Sequence, residues 1–352
     1  MKEYDSIIQD QLQSGIIDQV DCAKRPDVGR VHYLPHHGVV RRDALTTKLC
    51  VVFHASSRPS SDSPSLNECL YSGPALTPTI FNVILQFREK RIALVGDIKK
   101  AFLNVGVAED RDVLRFLWVD SLEEENSGLM LYQFCRVVFG VNAGPFLLNA
   151  TLNYHISQYE ADPGLVQNLL NSFYVDDLVT GERGVEECLS LYQKSKKCLL
   201  EDGFNLRKWI SSSPKLLELI CEDQVGTVGT CAVVEDTKSY AKTTVNHLEK
   251  LDMKDEHKVL GLNWNFVTDE FIFKFEALLR LSEDLEPTRR NLLKVTSSFF
   301  DPLGVLSPIL VEMKILFQSL CHDKFEWDVP LPESARKQWN RWLQDLREVQ
   351  QV

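Results

Sequence analysis

The sequence predicts an α+β fold, and three observations carry the prediction. Short apolar, β-favouring runs deliver acids: Ile92-Ala-Leu-Val-Gly-Asp97, and Phe173-Tyr174-Val175-Asp176-Asp177-Leu178-Val179-Thr180-Gly181. Stretches with apolar residues three and four apart lie between such runs. From Thr288 onward the pattern turns helical.

Composition sets the outer limits. The chain has 352 residues, enough for two or three domain-sized units. A formal net charge of −11 argues against a globally basic nucleic-acid coat but leaves room for a local basic groove. The 9 cysteines are odd in number and form no C-x-x-C pair, so reduced thiols of an intracellular protein are expected. The N-terminus has no apolar signal region, and no apolar run approaches the ~20 residues that span a bilayer. No membrane partner is expected, and cytoplasm and nucleus stay open as compartments.

In chain order, residues 3–14 read as an amphipathic helix ended by Gly15, with Ile16 and Ile17 opening a strand. Val31–Val40 and Leu49–Phe53 read as a hairpin carrying Arg41, Arg42 and Lys48. Such cations suit a triphosphate, which needs charge-assisted donors; a solvated basic edge strand has the same composition. His32, His36, His37, Cys50 and His54 lie on the same stretch, but their spacing fits no closed zinc site. Ser56–Pro78 is rich in Ser, Pro and Asn and reads as loop. Thr77-Pro78 is expected to cap a helix with Ile80, Val83, Ile84 and Phe87 on one face.

The Asp97 strand is apolar on both faces and is expected to be central. Phe102 follows it, as core or as a surface against a sugar. Leu114–Val119 and Leu129–Phe134 read as strands around a polar turn at 123–128. Val138–Pro145 is a Gly-containing loop opening a helix over 145–160, and its small residues allow close backbone approach. The Asp176-Asp177 pair is expected at the tip of a hairpin. Aspartate tolerates turn geometry, so the dipeptide alone is also an ordinary turn. With Asp97 beside it, the same pair could hold two divalent metals ~3.5–4 Å apart, the arrangement that clamps both oxygens of a phosphoryl transfer. A helix from Val185 to about Asp202 stops at Gly203, and Phe204–Trp209 is a strand presenting Lys208. Residues 222–247 read as a linker. Lys258–Trp264 and Glu270–Phe275 make a further hairpin. Helices follow at about 288–300, 308–322 and 333–348, the last striped by Ala335, Trp339, Trp342, Leu343 and Leu346.

The order of these pieces resembles the fingers and palm of a reverse transcriptase. Within that class it resembles the polymerase region of BEL/Pao-type LTR retrotransposons. This similarity rests on Val51-Val-Phe-His-Ala-Ser-Ser57, Phe139-Gly-Val-Asn-Ala-Gly-Pro-Phe-Leu-Leu-Asn-Ala-Thr151, Tyr174-Val-Asp-Asp-Leu-Val-Thr-Gly181, Leu206-Arg-Lys-Trp-Ile-Ser-Ser212, Phe300-Asp-Pro-Leu-Gly-Val-Leu-Ser-Pro308 and Trp327-Asp-Val-Pro-Leu-Pro332. The resemblance spans essentially the whole chain.

It implies a right-hand polymerase fold with a helical C-terminal extension. Residues 1–90 would be fingers and first palm elements, 91–275 palm with an interleaved fingers segment, and 276–352 thumb and C-terminal helices. The implied activity is RNA-directed DNA polymerisation on an RNA or DNA template with primer, from dNTPs, with two Mg²⁺ or Mn²⁺ ions. Asp97, Asp176 and Asp177 would be the metal ligands. Lys208 would protonate the leaving pyrophosphate. Arg41 and Lys48 would meet the incoming nucleotide. Phe102 would be the steric gate against a 2′-hydroxyl, and Phe139 and Gly140 would line the nascent base pair. Leu260, Gly261 and Leu262 would form the primer grip.

Two positions depart from the family pattern. The fingers motif that usually reads Lys-Leu-Arg-Val-Val-Phe-Asp is Lys48-Leu-Cys50-Val-Val-Phe-His54, and Cys cannot supply a planar, permanently charged donor. Lys99 replaces an acid usually found two residues past the metal aspartate. The alternative expectation is therefore a catalytically weakened relic that binds nucleic acid or a partner. Protease, RNase H and integrase portions of a parent polyprotein are not expected within this chain.

Overall fold

The structure is a computed structural model that describes residues 1–21, 30–40, 49–122, 128–159, 162–225 and 256–349. The chain divides into two compact units, Met1–Thr237 and Lys238–Val352. Among the described residues, no helix is long and apolar enough to cross a membrane.

Among its described residues the first unit holds three antiparallel sheets. Helix α1 (Lys2–Gln13) buries Tyr4 and Ile8. Strand β1 (Ile17–Gln19) pairs with β6 (Leu129–Phe134), which pairs with β5 (Arg115–Val119). A ribbon of β2 (His36–Val40) and β3 (Leu49–Phe53) places Phe53 edge-to-face on Phe116 and Phe134. Helices α2 (Leu66–Cys69) and α3 (Ile80–Glu89) lead into β4 (Ile92–Ile98), followed by the single turn α4 (Ala101–Asn104). Helices α5 (Gly144–Ser157) and α6 (Pro163–Ser172) precede the hairpin of β7 (Phe173–Tyr174) and β8 (Asp177–Glu182). Helix α7 (Val185–Leu200), strand β9 (Leu206–Ser211) and helix α8 (Pro214–Val225) complete the unit.

The sheet order β7-β8-β4-β9 puts β4 in the interior. Ile92 to Gly96 are all buried, as expected of an apolar run covered on both faces. Helix α7 covers this sheet through Tyr192, whose ring meets Trp209 of β9 edge-to-face at 4.9 Å. The Tyr192 hydroxyl donates to Asp223 Oδ2 at 2.8 Å, and burial raises its pKa.

The second unit opens with a meander of β10 (Glu256–Val259), β11 (Leu262–Asn265) and β12 (Glu270–Ile272). Helices α9 (Glu276–Glu283), α10 (Arg289–Thr296), α11 (Ser307–His322) and α12 (Glu333–Val349) follow. The tryptophan stripe of α12 is core: Trp339, Trp342 and Leu346 pack with Val295, Met313 and Leu316.

Several local expectations change. The stretch 56–78 is not all loop: Ser65 and Glu68 form a capping box that starts α2. The cap of α3 is Thr79, whose side chain accepts from Asn82 N, rather than Thr77-Pro78. Helix α6 was not foreseen, although Asp162 caps it and Pro163 opens it. Helices α8 and α9 were also unforeseen. The run 258–264 is not one strand, because Leu260 (φ 48°) and Gly261 (φ 90°) turn the chain there. Six of the described cysteines, Cys50, Cys69, Cys135, Cys188, Cys198 and Cys321, are free thiols. Arg41, Arg42, Lys48 and nearly all of the expected 222–247 linker lie outside the described residues.

Candidate active site

Asp97 on β4 and Asp177 on β8 are cross-strand partners. Ile98 N donates to Asp176 O at 3.0 Å, which makes Asp97–Asp177 a non-hydrogen-bonded pair. Such pairs are the close ones, with Cα atoms ~4.5 Å apart and side chains on one face. The hairpin expectation is corrected in one detail. Asp177 is the first residue of β8, paired with Tyr174, and the two-residue turn is Val175-Asp176. Val175 has φ 57°, the sign that a type II′ turn requires at its first central residue. For a β-branched residue that conformation is strained, and it is held by burial of the Val175 side chain.

The opposite edge of β4 brings cations. Its register with β9 runs Val95↔Ile210 and then Asp97↔Arg207, so β9 carries one extra residue there. Lys208 sits in that bulge with φ 53°. Successive strand residues ordinarily point to opposite faces, and a bulge re-aims one of them. Both Arg207 and Lys208 consequently reach Asp97: Arg207 Nε lies 3.3 Å from Oδ1 and Lys208 Nζ 3.5 Å from Oδ2. Gly96 lies under the Trp209 ring, where an added Cβ would meet the ring at 3.1 Å.

The metal expectation can be tested against this geometry. Among the described residues, no three His, Cys, Asp or Glu side chains stand close enough together to hold a metal ion as placed. In donor type the site suits a hard divalent cation, which takes carboxylate oxygens. Asp97 Oδ1 is buried and accepts no hydrogen bond among the described residues. Its charge is balanced by Arg207 and Lys208, so a cation would have to replace that pairing.

Phe102 and Phe139 meet edge-to-face at 5.9 Å. Phe102 is buried under the start of α5, where a Cβ on Gly144 would lie 3.3 Å from its ring. Phe139 is 44% exposed and presents the open side of the pair. Gly140 has φ 100°, and a Cβ there would stand 2.9 Å from Phe53 O, so only glycine fits the turn without strain. Leu260, Gly261 and Leu262 belong to the second unit, where the Gly261 turn is closed over by Phe300. Cys50 pairs with Val39 in the β2–β3 ribbon, and Lys99 is exposed just past β4. His37 and His54 stack at 4.6 Å without a third metal-type ligand among the described residues.

Two contributors escaped the sequence reading. Arg207 was passed over because period-2 alternation lets only one of Arg207 and Lys208 face Asp97; the bulge admits both. Asn67 lay in a stretch read as loop, though the Ser65/Glu68 capping signal beside it was legible.

Residues 45–209 match the family model described as reverse transcriptase (RNA-dependent DNA polymerase). Residues 288–352 match the one described as Pao retrotransposon-like RNaseH-like domain. Among the described residues that second stretch holds helices α10, α11 and α12. No curated protein matches the chain. Solved structures of the foamy viral protease-reverse transcriptase are similar. The complex with dsDNA has a TM-score of 0.56 at 14% identity, covering 98% of this chain and 56% of that one. The complex with RNA/DNA hybrid has a TM-score of 0.54 at 12% identity, covering 98% and 36%. The dRH form with ds DNA has 0.55 at 13%, covering 98% and 47%. The chain thus spans 36% to 56% of the length of these viral chains. At such identities the likeness establishes the fold, and that fold is the α+β polymerase class expected from the sequence.

Proposed function

We propose, from the family matches over residues 45–209 and 288–352, that the chain carries the reverse-transcriptase region of a BEL/Pao-type retrotransposon and extends a primer 3′-hydroxyl with dNTPs on an RNA or DNA template. The observation that carries the proposal is the close pairing of Asp97 with Asp177, beside Asp176, at one end of the interior strand. Two Mg²⁺ or Mn²⁺ ions held by Asp97, Asp176 and Asp177 would lower the pKa of the attacking hydroxyl and neutralise the leaving pyrophosphate.

The chain's own groups have distinct tasks in this reading. Lys208 Nζ gives up a proton to the departing pyrophosphate, at a position fixed by the β9 bulge. Phe102, wedged beneath α5, refuses a 2′-hydroxyl on the incoming sugar. Phe139 and Gly140 line the nascent base pair, where the bare glycine backbone allows close approach. Arg41 and Lys48 contact the triphosphate. Leu260, Gly261 and Leu262 hold the primer end. In regional terms, 1–90 serves as fingers and first palm elements, 91–275 as palm, and 276–352 as thumb and following helices. The duplex is gripped by its backbone, so binding weakens steeply with salt.

One observation favours a second reading. Cys50 stands where a triphosphate-gripping arginine is expected, which suits a folded relic that binds nucleic acid without catalysis. Purified protein supplied with poly(rA)/oligo(dT), dTTP and Mg²⁺ or Mn²⁺, with Asp176→Asn as control, separates the two. Extension by the wild type alone supports the polymerase. Retained duplex binding with no extension supports the relic.

A further inference from the structure

Asn67 joins three stretches of the first unit that are far apart in sequence. Its backbone N donates to Ala55 O at 3.0 Å, just past β3. Its side-chain Nδ2 donates to Ser56 Oγ at 2.8 Å and to Gly140 O at 3.0 Å. Its Oδ1 accepts from Asn142 N at 2.9 Å, and its backbone O accepts from Asn142 Nδ2 at 2.6 Å. The amide orientation is fixed by the network: a backbone N–H can only donate and a backbone carbonyl can only accept. The donor and acceptor ends of Asn67 therefore read Gly140 and Asn142 separately and cannot be exchanged.

These contacts converge on the loop that carries Phe139. Gly140 is held at φ 100° against Phe53 O, and Phe139 projects from it toward Phe102. Loops of this kind move unless their backbone groups are satisfied, because exposed backbone hydrogen bonds open at low free-energy cost. Asn67 satisfies a carbonyl and an amide of the loop at once. Ser65 and Glu68 fix Asn67 in turn through the α2 capping box.

We propose that Asn67 is a positioning residue that sets the Phe139–Gly140 loop against the nascent base pair. This rests on the polymerase reading above, because without an incoming nucleotide the clamp has nothing to position. Asn67 touches neither substrate nor metal in this account; it acts through Gly140 and Asn142. Its chemistry requires both a donor and an acceptor in one short planar group. Alanine removes both. Aspartate keeps the acceptor for Asn142 N and sets a negative oxygen against Gly140 O.

The test uses the full chain with Asn67→Ala and Asn67→Asp, read in two ways. The first reading is amide hydrogen exchange of residues 139–142, which needs no catalysis. Loss of the Asn142 N bond should speed its exchange about tenfold in Asn67→Ala, as for one removed hydrogen bond, and leave it protected in Asn67→Asp. The second is steady-state extension of poly(rA)/oligo(dT). Both variants should raise KM for dTTP about five- to tenfold and increase misincorporation, with kcat within about twofold, since ground-state placement and not the chemical step is disturbed. Unchanged exchange in Asn67→Ala overturns the clamp. Faster exchange with unchanged KM and fidelity, or a lowered thermal midpoint alone, reduces Asn67 to a structural tie and overturns the positioning role. A wild type that shows no extension overturns the polymerase reading and the nucleotide role with it, while the exchange data still decide whether the clamp exists.

Discussion

Arg207 Nε lies 3.3 Å from Asp97 Oδ1, and among the described residues neither atom makes a hydrogen bond. The contact is therefore an ion pair without hydrogen-bond alignment, between an acid that is 14% exposed and a guanidinium that is 41% exposed. Such a pairing neutralises Asp97 while leaving its oxygen able to accept a better partner. Arg207→Gln should then ease cation binding: the half-saturating Mn²⁺ concentration, followed by electron paramagnetic resonance, is expected to fall about two- to fivefold, the scale of a partly exposed ion pair. Weaker Mn²⁺ binding in Arg207→Gln would show that the arginine supports the site instead of competing for it.

Cys50 offers a complementary test. It lies in β3 opposite Val39, at a position where arginine would supply a forked, permanently charged donor to a triphosphate. Cys50→Arg is expected to lower KM for dTTP about tenfold or more, as for a charge-assisted hydrogen bond gained. No change in the extension kinetics would remove the triphosphate-grip argument.

Lys208 stores backbone strain at φ 53° in the β9 bulge. Glycine adopts that conformation freely and alanine does not. Lys208→Gly should be more stable than Lys208→Ala by about 1 kcal/mol in chemical denaturation. Both should slow extension to a similar degree, because both lose the ammonium. Equal stabilities would mean that the bulge relaxes around the residue.

Thiol reactivity reports the core independently of catalysis. Burial pushes the Cys188 thiol up to about 12, with Glu182 adding to the shift, and the Cys135 thiol up to about 11 with help from Asp18. A raised pKa leaves the neutral thiol at pH 8, and only the thiolate alkylates. Cys69 and Cys321 are exposed and should react with iodoacetamide in the native protein, whereas Cys135 and Cys188 should react only after unfolding. Peptide mapping by mass spectrometry distinguishes the two classes.

The legible parts of the fold were those with a strong period or a strong punctuation mark. Strand β4 was readable because an apolar run covered on both faces has few alternatives. Helix α12 was readable because its tryptophans repeat at helical spacing. The capping box at Ser65 and the Asp162-Pro163 opening of α6 carried equal information, but short helices inside Ser-, Pro- and Asn-rich sequence are easily taken for loop. The acids of the candidate site were visible as residue types in strand context. Of their cationic counterparts, Lys208 was visible and Arg207 was not, because having both on one acid depends on a bulge. Placing Arg207 and Lys208 on the same aspartate requires one residue of extra chain in β9, and nothing in a period-2 pattern announces it. Asn67 was hidden for a related reason: its partners Gly140 and Asn142 are close only in space.

The central proposal is that Asp97, Asp176 and Asp177 converge on bound divalent cations. Iron-directed cleavage measures it most directly: the protein is charged with Fe²⁺ in place of Mg²⁺, treated with ascorbate and peroxide, and the fragments are sized. The account predicts cuts near residues 97 and 176–177 together, suppressed by excess Mg²⁺ and abolished at both places by Asp97→Asn. Cuts confined to other parts of the chain, or cuts at the hairpin that persist unchanged in Asp97→Asn, would contradict it.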